Sequence, residues 1–323
     1  MDRRNFLKTG TAAAGLAASN RLLEPLTASE VAVAGEFPKR MLGKTGEKLS
    51  IIGFGGIVVM NAEQPVANRT VAEAFARGIN YFDVAPSYGN AEEKLGPALQ
   101  PYRQRVFLAC KTGKRDKAGA AAELESSLKH MRTDHFDLYQ LHAMTKMADV
   151  DKVFSPDGAM ETFLAARKAG KIRYIGFSAH SAETAIALMD RFEFNTILFP
   201  FNFVLFSQAN FGPQVLEHAR KKGMGILALK AMAKAVWPKE MKEADRPQPK
   251  CWYQPAQLPD QAALALRWTL SHPITAALPP GDEMYFQHAL NVAQKFEAIR
   301  PEEEKVLMAS AQGAEPIFHL GNA

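Results

Sequence analysis

Cysteine is nearly absent from this chain: Cys110 and Cys251 are the only two in 323 residues. Two thiolates cannot ligate an iron–sulfur cluster, and their separation gives no zinc-type spacing, so no metal site is expected. Strong charge of one sign is also missing. The formal net charge is +5, with basic residues scattered among acidic ones. That pattern is a solvated mixed-charge surface and not a nucleic-acid footprint. The weakly apolar stretch Thr9 to Ala18 is too short to span a membrane, so no stable insertion is expected. A glycine-rich G-x-G-x-x-G turn after a first strand, the mark of an open doubly wound sheet, is lacking as well. "GFGG" at 53–56 is too short and ends without a helix signal. What is present is ordinary for a globular protein: 47% hydrophobic and 23% charged residues. The length suits one large domain, and a single α/β barrel fits within it.

The first 34 residues differ from the rest. Arg3 and Arg4 stand together before Phe6, Leu7 and Lys8, and an Ala- and Gly-rich stretch follows. A charged start, a short apolar middle and small residues read as a removable export signal, and "AVA" at 32–34 is a plausible cleavage site. The paired arginines resemble a twin-arginine signal, whose machinery carries folded proteins, so residues 1–34 are expected to be removed and the domain 35–323 to be periplasmic or otherwise exported.

From there the chain alternates strand-length apolar runs with segments of helical spacing. The runs are Ile51–Phe54, Ile79–Phe82, Val106–Cys110, Phe136–Leu141, Ile172–Phe177, Thr196–Phe199, Gly225–Leu229 and Ile274–Leu278. Between them Leu124, Leu128 and Met131 share one helical face, as do Ala185, Met189 and Phe192. "ARG", "KAG" and "KKG" at 76–78, 168–170 and 221–223 each close a helix with glycine after a cation. Runs without polar alternation imply burial on both faces, and strand–helix repetition implies a closed parallel (β/α)8 TIM barrel. Gly43 and Gly46 predict a small N-terminal β-hairpin at its floor, and Pro301 to Ala311 predicts a C-terminal extra helix. Ala233 to Leu258 is proline-rich and without clean period, a functional or disordered loop.

In such barrels the chemistry lies at the strand C-termini. The second run ends in Asp83 with Tyr88 on its loop, the third in Lys111, the fourth in His142. A phenol is a poor proton donor or acceptor near neutrality, and a nearby ammonium favours its phenolate. Lys111 would supply that charge and Asp83 would hold it. His142 would donate a hydrogen bond to an oxygen on which negative charge develops. The set suits proton transfer to a carbonyl that is receiving a hydride.

"GINYFDVAPSYGNAEEKLG", "RMLGKTGEKLSIIGFGG", "KTG" and "YQLH" together resemble the aldo-keto reductase family, over essentially all of residues 38–300. The resemblance implies a nicotinamide-dependent oxidoreductase acting on a small carbonyl, alcohol or sugar, with Asp83, Tyr88, Lys111 and His142 as its catalytic set. It also implies cofactor contacts at Ser178, Asn202, Leu229, Lys230, Gly281 and Asp282. Here the chain departs from the family pattern. Ala179 replaces an asparagine after Ser178, with His180 next. Leu198 and Leu229 stand for a glutamine and a stacking aromatic, which Trp237 or Trp252 could replace. Pro280 and Gly281 stand for a cation and a serine, and Phe286 for a distal arginine. Asp282 and Glu283 would repel a 2′-phosphate, which favours NAD over NADP. Export from the cytoplasm would require the dinucleotide to travel tightly held. Two other functions fit the departures: a barrel kept as a nucleotide sensor or binding protein, and a cofactor-independent sugar isomerase or lyase using Tyr88 and His142.

Overall fold

The computed structural model describes residues 37–321, so the signal-like segment 1–34 lies outside the described residues. Eight strands carry the architecture: β1 (Phe54–Gly55), β2 (Tyr81–Asp83), β3 (Phe107–Thr112), β4 (Phe136–Met144), β5 (Ile172–Ala179), β6 (Thr196–Pro200), β7 (Gly225–Leu229) and β8 (Ala276–Leu278). They lie side by side in chain order, and every pairing is parallel. The ring closes between its ends. Ile52 bridges Ala277 in parallel, Gly53 N–H donates to the Ala277 carbonyl at 3.0 Å, and Ala277 N–H donates to Ile51 at 2.9 Å. This is the (β/α)8 TIM barrel read from the sequence. The first run is divided between two neighbours. Ile51 to Gly53 pair with the last strand, and only Phe54 and Gly55 pair with β2.

Side chains alternate along a strand with period two, so one set points into the barrel and the other toward the helices. The inner set forms its own packed cluster, with Tyr81, Phe107, Leu138, Leu198, Leu227 and Ala276 among its members. The hairpin Lys39–Met41 and Lys48–Ser50 closes the floor and adds Leu42 and Leu49 to that cluster. Gly43 is required there: its φ is +51°, and a Cβ would sit 2.3 Å from the Gly225 amide nitrogen. The outer set packs under the helices. Phe54 meets Phe82 at 5.2 Å and Phe286 at 4.9 Å, which pins the helix Glu283–Gln294 against β1 and β2. Burying one such ring contributes about 1.5–3 kcal/mol. Phe286, set where the resemblance expects an arginine, is therefore a core residue.

The cation–glycine stops behave as read, with Gly78, Gly170 and Gly223 at φ 96°, 76° and 68°. The final helix, Pro301–Ser310, opens on Glu302, Glu303 and Glu304, and Glu303 reaches back to the Arg300 N–H in a capping box. The long segment after β7 is ordered by a two-stranded antiparallel ribbon, Ala233–Val236 with Tyr253–Pro255. Trp237 anchors it by donating from its indole to the Cys251 carbonyl at 2.8 Å. Both cysteines are buried and unpaired. No helix of the described residues is long and apolar enough to cross a membrane.

Candidate active site

The inward alternation places the site. On β2 it runs Tyr81, Asp83; on β3 Phe107, Ala109, Lys111; on β4 Leu138, Gln140, His142. The lower members are in the apolar inner cluster, and the upper ones are polar. Parallel register sets Lys111 against Gln140 and Asp83 against Ala109. At that level the Lys111 ammonium donates to Asp83 Oδ1 and, at 3.1 Å, to the Val84 carbonyl. Asp83 Oδ2 accepts from the Tyr81 hydroxyl and from Gln140 Nε2, each at 3.2 Å. Lys111 is 0% and Asp83 1% exposed. A buried ion pair persists only when its desolvation is offset by such further hydrogen bonds. Burial alone would lower the Lys111 pKa, but the charges of Asp83 and Tyr88 outweigh it and the ammonium is held charged. Tyr81 and Gln140 were not picked out from the sequence. Each stands two residues before a residue that was, on the same face of its strand.

Tyr88 comes from the loop after β2 and lies against this pair, with the Lys111 ammonium 5.0 Å from its ring centre. Lys111 does pull the phenol pKa down, as expected. Burial pushes it up more strongly and Asp83 adds to that, so the net direction is upward and Tyr88 keeps its proton at neutral pH. His142 stands edge-on to Tyr88, with ring centres 5.7 Å apart. Burial, assisted by the charges of Lys111, Lys230 and Arg115, lowers its pKa to about 3. The imidazole is thus neutral. The Ser87 hydroxyl lies 3.3 Å from Nδ1, and when it donates there the ring proton sits on Nε2. The end of β4 is irregular: Ala143 has φ +52°, its N–H donates to Ser178 Oγ at 2.8 Å, and Arg115 donates to the His142 carbonyl at 2.8 Å.

The β5–β8 side is built differently. Ser178 is buried and accepts the Ala143 N–H, while its own O–H has no acceptor among the described residues. Asn202 is 1% exposed. It caps the helix Phe203–Gln208 by accepting from Leu205 N–H at 2.9 Å, and its Nδ2 donates to the Lys230 carbonyl at 3.2 Å. Asp282 caps the helix Glu283–Gln294, accepting from the N–H groups of Met284 and Tyr285 at 3.0 and 3.3 Å. Gly281 lies close to the loop after β1, where a Cβ would meet Ile57 at 2.3 Å. Lys230, partly buried, has its ammonium 3.3 Å from His180 Nε2. Burial and the charge of Lys111 lower its pKa to about 7.

One cavity of about 330 Å³ lies at the C-terminal end of the barrel. Asp83, Tyr88, Lys111 and His142 all line it, and so do Ser178, Leu229, Lys230 and Gly281. Asn202 and Asp282 do not: one holds Lys230, the other a helix. Lys250 and Trp252, from the segment after β7, line the cavity too, and Lys250 donates to the Val58 carbonyl in the loop after β1 at 2.8 Å. A larger groove of about 640 Å³ runs outside the barrel between the helices Lys117–Met131 and Ala159–Lys168. None of the inward strand-end residues lines it, so size does not mark the site. Among the described residues no group of three or more His, Cys, Asp or Glu could hold a metal ion.

Comparison with known proteins agrees with this fold. Residues 52–303 match the model of the Aldo/keto reductase family. The chain is 30% identical over 218 residues to L-galactose dehydrogenase of Arabidopsis thaliana, covering 60% of this chain and 65% of that protein. It is 31% identical over 180 residues to the aldo-keto reductase YhdN of Bacillus subtilis, covering 50% and 53%. It therefore spans less than two thirds of the length of either curated relative. A solved aldo-keto reductase of Bacillus halodurans superposes with TM-score 0.67 at 22% identity, over 88% of this chain and 99% of that one, which shows the shared fold.

Proposed function

Because this chain belongs to the aldo/keto reductase family, we propose that it is an oxidoreductase that reduces a small carbonyl or sugar substrate, with Tyr88 as the proton donor. One observation carries the proposal: a fully buried Lys111–Asp83 pair beneath a protonated phenol, with a neutral imidazole beside it. Tyr88 holds its proton until the substrate oxygen gains negative charge, then passes it over. The phenolate left behind is stabilised by the ammonium of Lys111, which Asp83, Tyr81 and Gln140 keep in place. His142 donates a second hydrogen bond to the same oxygen and contributes no competing charge. Solvent returns the proton to Tyr88 after product leaves.

Aldo-keto reductases use NAD(P)H generally, and the residues present fit a nicotinamide. Ser178 offers an unused hydroxyl donor in a cavity walled by Leu198, Leu229 and Leu278. The bound dinucleotide would supply the hydride. NAD is favoured over NADP because Asp282 and Glu283 keep negative charge on the loop after β8; capping occupies the Asp282 oxygen without removing its charge. Arg3 and Arg4, in the segment before the described residues, support export of the folded, dinucleotide-loaded protein. Mass spectrometry of small molecules released from the purified protein tests that: near-stoichiometric nucleotide supports a cofactor carried out of the cytoplasm.

The deciding experiment is Tyr88→Phe. Carbonyl-dependent loss of nicotinamide absorbance should fall about 10³-fold while dinucleotide binding persists. Unchanged turnover would remove Tyr88 from the chemistry. A second reading, a barrel that binds nucleotide without turnover, is favoured by the occupied side chain of Asn202. It predicts bound dinucleotide whose absorbance no carbonyl compound alters.

A further inference from the structure

Three ammonium groups line the active-site cavity, and two are answered. Lys111 is paired with Asp83, and Lys250 donates to the Val58 carbonyl with the charges of Asp282 and Glu283 in range. Lys230 has no carboxylate partner among the described residues. Its ammonium meets the neutral His180 ring nitrogen at 3.3 Å and two ring faces, Trp252 at 5.4 Å and Phe318 at 5.6 Å from their centres. Phe318 also stacks on His180, ring centres 5.0 Å apart, so the pair is fixed from above by an aromatic residue near the end of the chain. Desolvating an ammonium without a counter-charge is costly.

The backbone is bent to place this charge. Lys230 has φ +59°, a left-handed conformation that is strained for a residue other than glycine. It is secured by two donors to its carbonyl, Ala233 N–H at 3.0 Å and Asn202 Nδ2 at 3.2 Å. The ammonium stands at the reacting end of the cavity: its charge reaches His142, and that of Lys111 reaches it. Lys230 lines the same small cavity as Tyr88 and His142, so an acid group on a substrate held there would come within its reach.

We propose that Lys230, with His180 beside it, is an anion-binding subsite that receives a carboxylate of the substrate, so that the preferred carbonyl compounds are aldehyde or keto acids. The substrate would bridge the site, its carbonyl oxygen at Tyr88 and His142 and its acid group at Lys230. The identity of the reacting carbonyl rests on the reductase reading above; the anion subsite does not.

Matched pairs of substrates test it: 4-oxobutanoate against butanal, and glucuronate against glucose. The wild type should favour the acid member of each pair in kcat/KM. Lys230→Met should collapse that acid-to-neutral ratio by about 10- to 100-fold, the loss expected of one charge-assisted hydrogen bond in a desolvated site. Lys230→Arg should retain most of it. An unchanged ratio overturns the proposal. So does a ratio that holds while the dinucleotide dissociation constant rises about 10-fold or more, because Lys230 would then serve the cofactor's phosphates. If neither NADH nor NADPH reduces any of the four compounds, the reductase reading fails, and calorimetry with 4-hydroxybutanoate decides the subsite alone. Binding by the wild type that Lys230→Met abolishes upholds it, and no binding by the wild type overturns it.

Discussion

The two halves of the barrel's rim use their polar residues in opposite ways. On β2 to β4 every polar inward side chain is aimed at another: Lys111 at Asp83, Tyr81 and Gln140 at the same carboxylate, Tyr88 and His142 against each other. On β5 to β8 the polar side chains mostly hold loops and helices. Ser178 steadies Ala143, Asn202 steadies Lys230, and Asp282 begins a helix. The first half is closed in charge and the second leaves a cation open. A closed, buried network fixes reacting groups in one geometry. An open cation beside it is free to choose what enters.

The comparison breaks most easily at Tyr88, where removal of the hydroxyl should cost about 10³ in turnover and little in stability. The next largest effect is beneath it. Lys111→Met leaves Asp83 buried without its counter-charge, a change that should cost about 3–5 kcal/mol of stability as well as activity. Denaturant unfolding of the two variants separates the roles: a Tyr88→Phe protein destabilised as strongly as Lys111→Met would mean that Tyr88 is a structural member of the buried network and not a proton donor resting on it.

The first half was readable from sequence because its residues obey strand alternation and end apolar runs. Asp83, Lys111 and His142 each close a run of core residues, and the barrel's chain order makes their strands neighbours. Tyr81 and Gln140 carry the same signal two positions earlier but look like core on a strand buried on both faces. The second half was less legible because its groups act through loop conformation. Nothing in "PFN" says that the asparagine amide will meet the carbonyl of a lysine 28 residues on. The acidic pair Asp282–Glu283 reads equally as cofactor selection or as a helix start, and contacts are needed to see that Asp282 caps. The ribbon within Ala233–Leu258 was hidden for a related reason: its strands are short and irregular, with a register shift between Ala233 and Ala235.

pH sharpens the contrast further. His142, with a pKa near 3, and His180, held well below its ordinary value, stay neutral through the physiological range, while Lys111 and the Tyr88 phenol stay protonated. The Cys251 thiol, pushed up to about 12, stays protonated too. Lys230, at about 7, changes charge within that range. A carboxylate substrate is ionised above pH ~5, so the preference for acids over neutral compounds should be fullest between about pH 5 and 6, be about halved at pH 7, and keep falling above it. The drop should reach about 10-fold by pH 8, because each pH unit above the pKa removes a further factor of about ten of the ammonium. Lys250 is also lowered by burial, and the Lys230→Met variant distinguishes them: a fall that persists without Lys230 belongs to Lys250.

The smallest expected effect lies at Asn202, which never touches the cavity. Asn202→Ala removes a helix cap worth about 0.5–2 kcal/mol. It also frees the Lys230 carbonyl of one of its two donors. The backbone at Lys230 can then leave its left-handed conformation, and the ammonium loses its fixed place over the cavity. Acid preference should fall a few-fold with little change for the neutral member of each pair, because Tyr88 and Lys111 are held from the other half of the rim. Equal losses for acid and neutral substrates would mean that Asn202 acts on the whole site, and that the division between the two halves is one of sequence legibility alone.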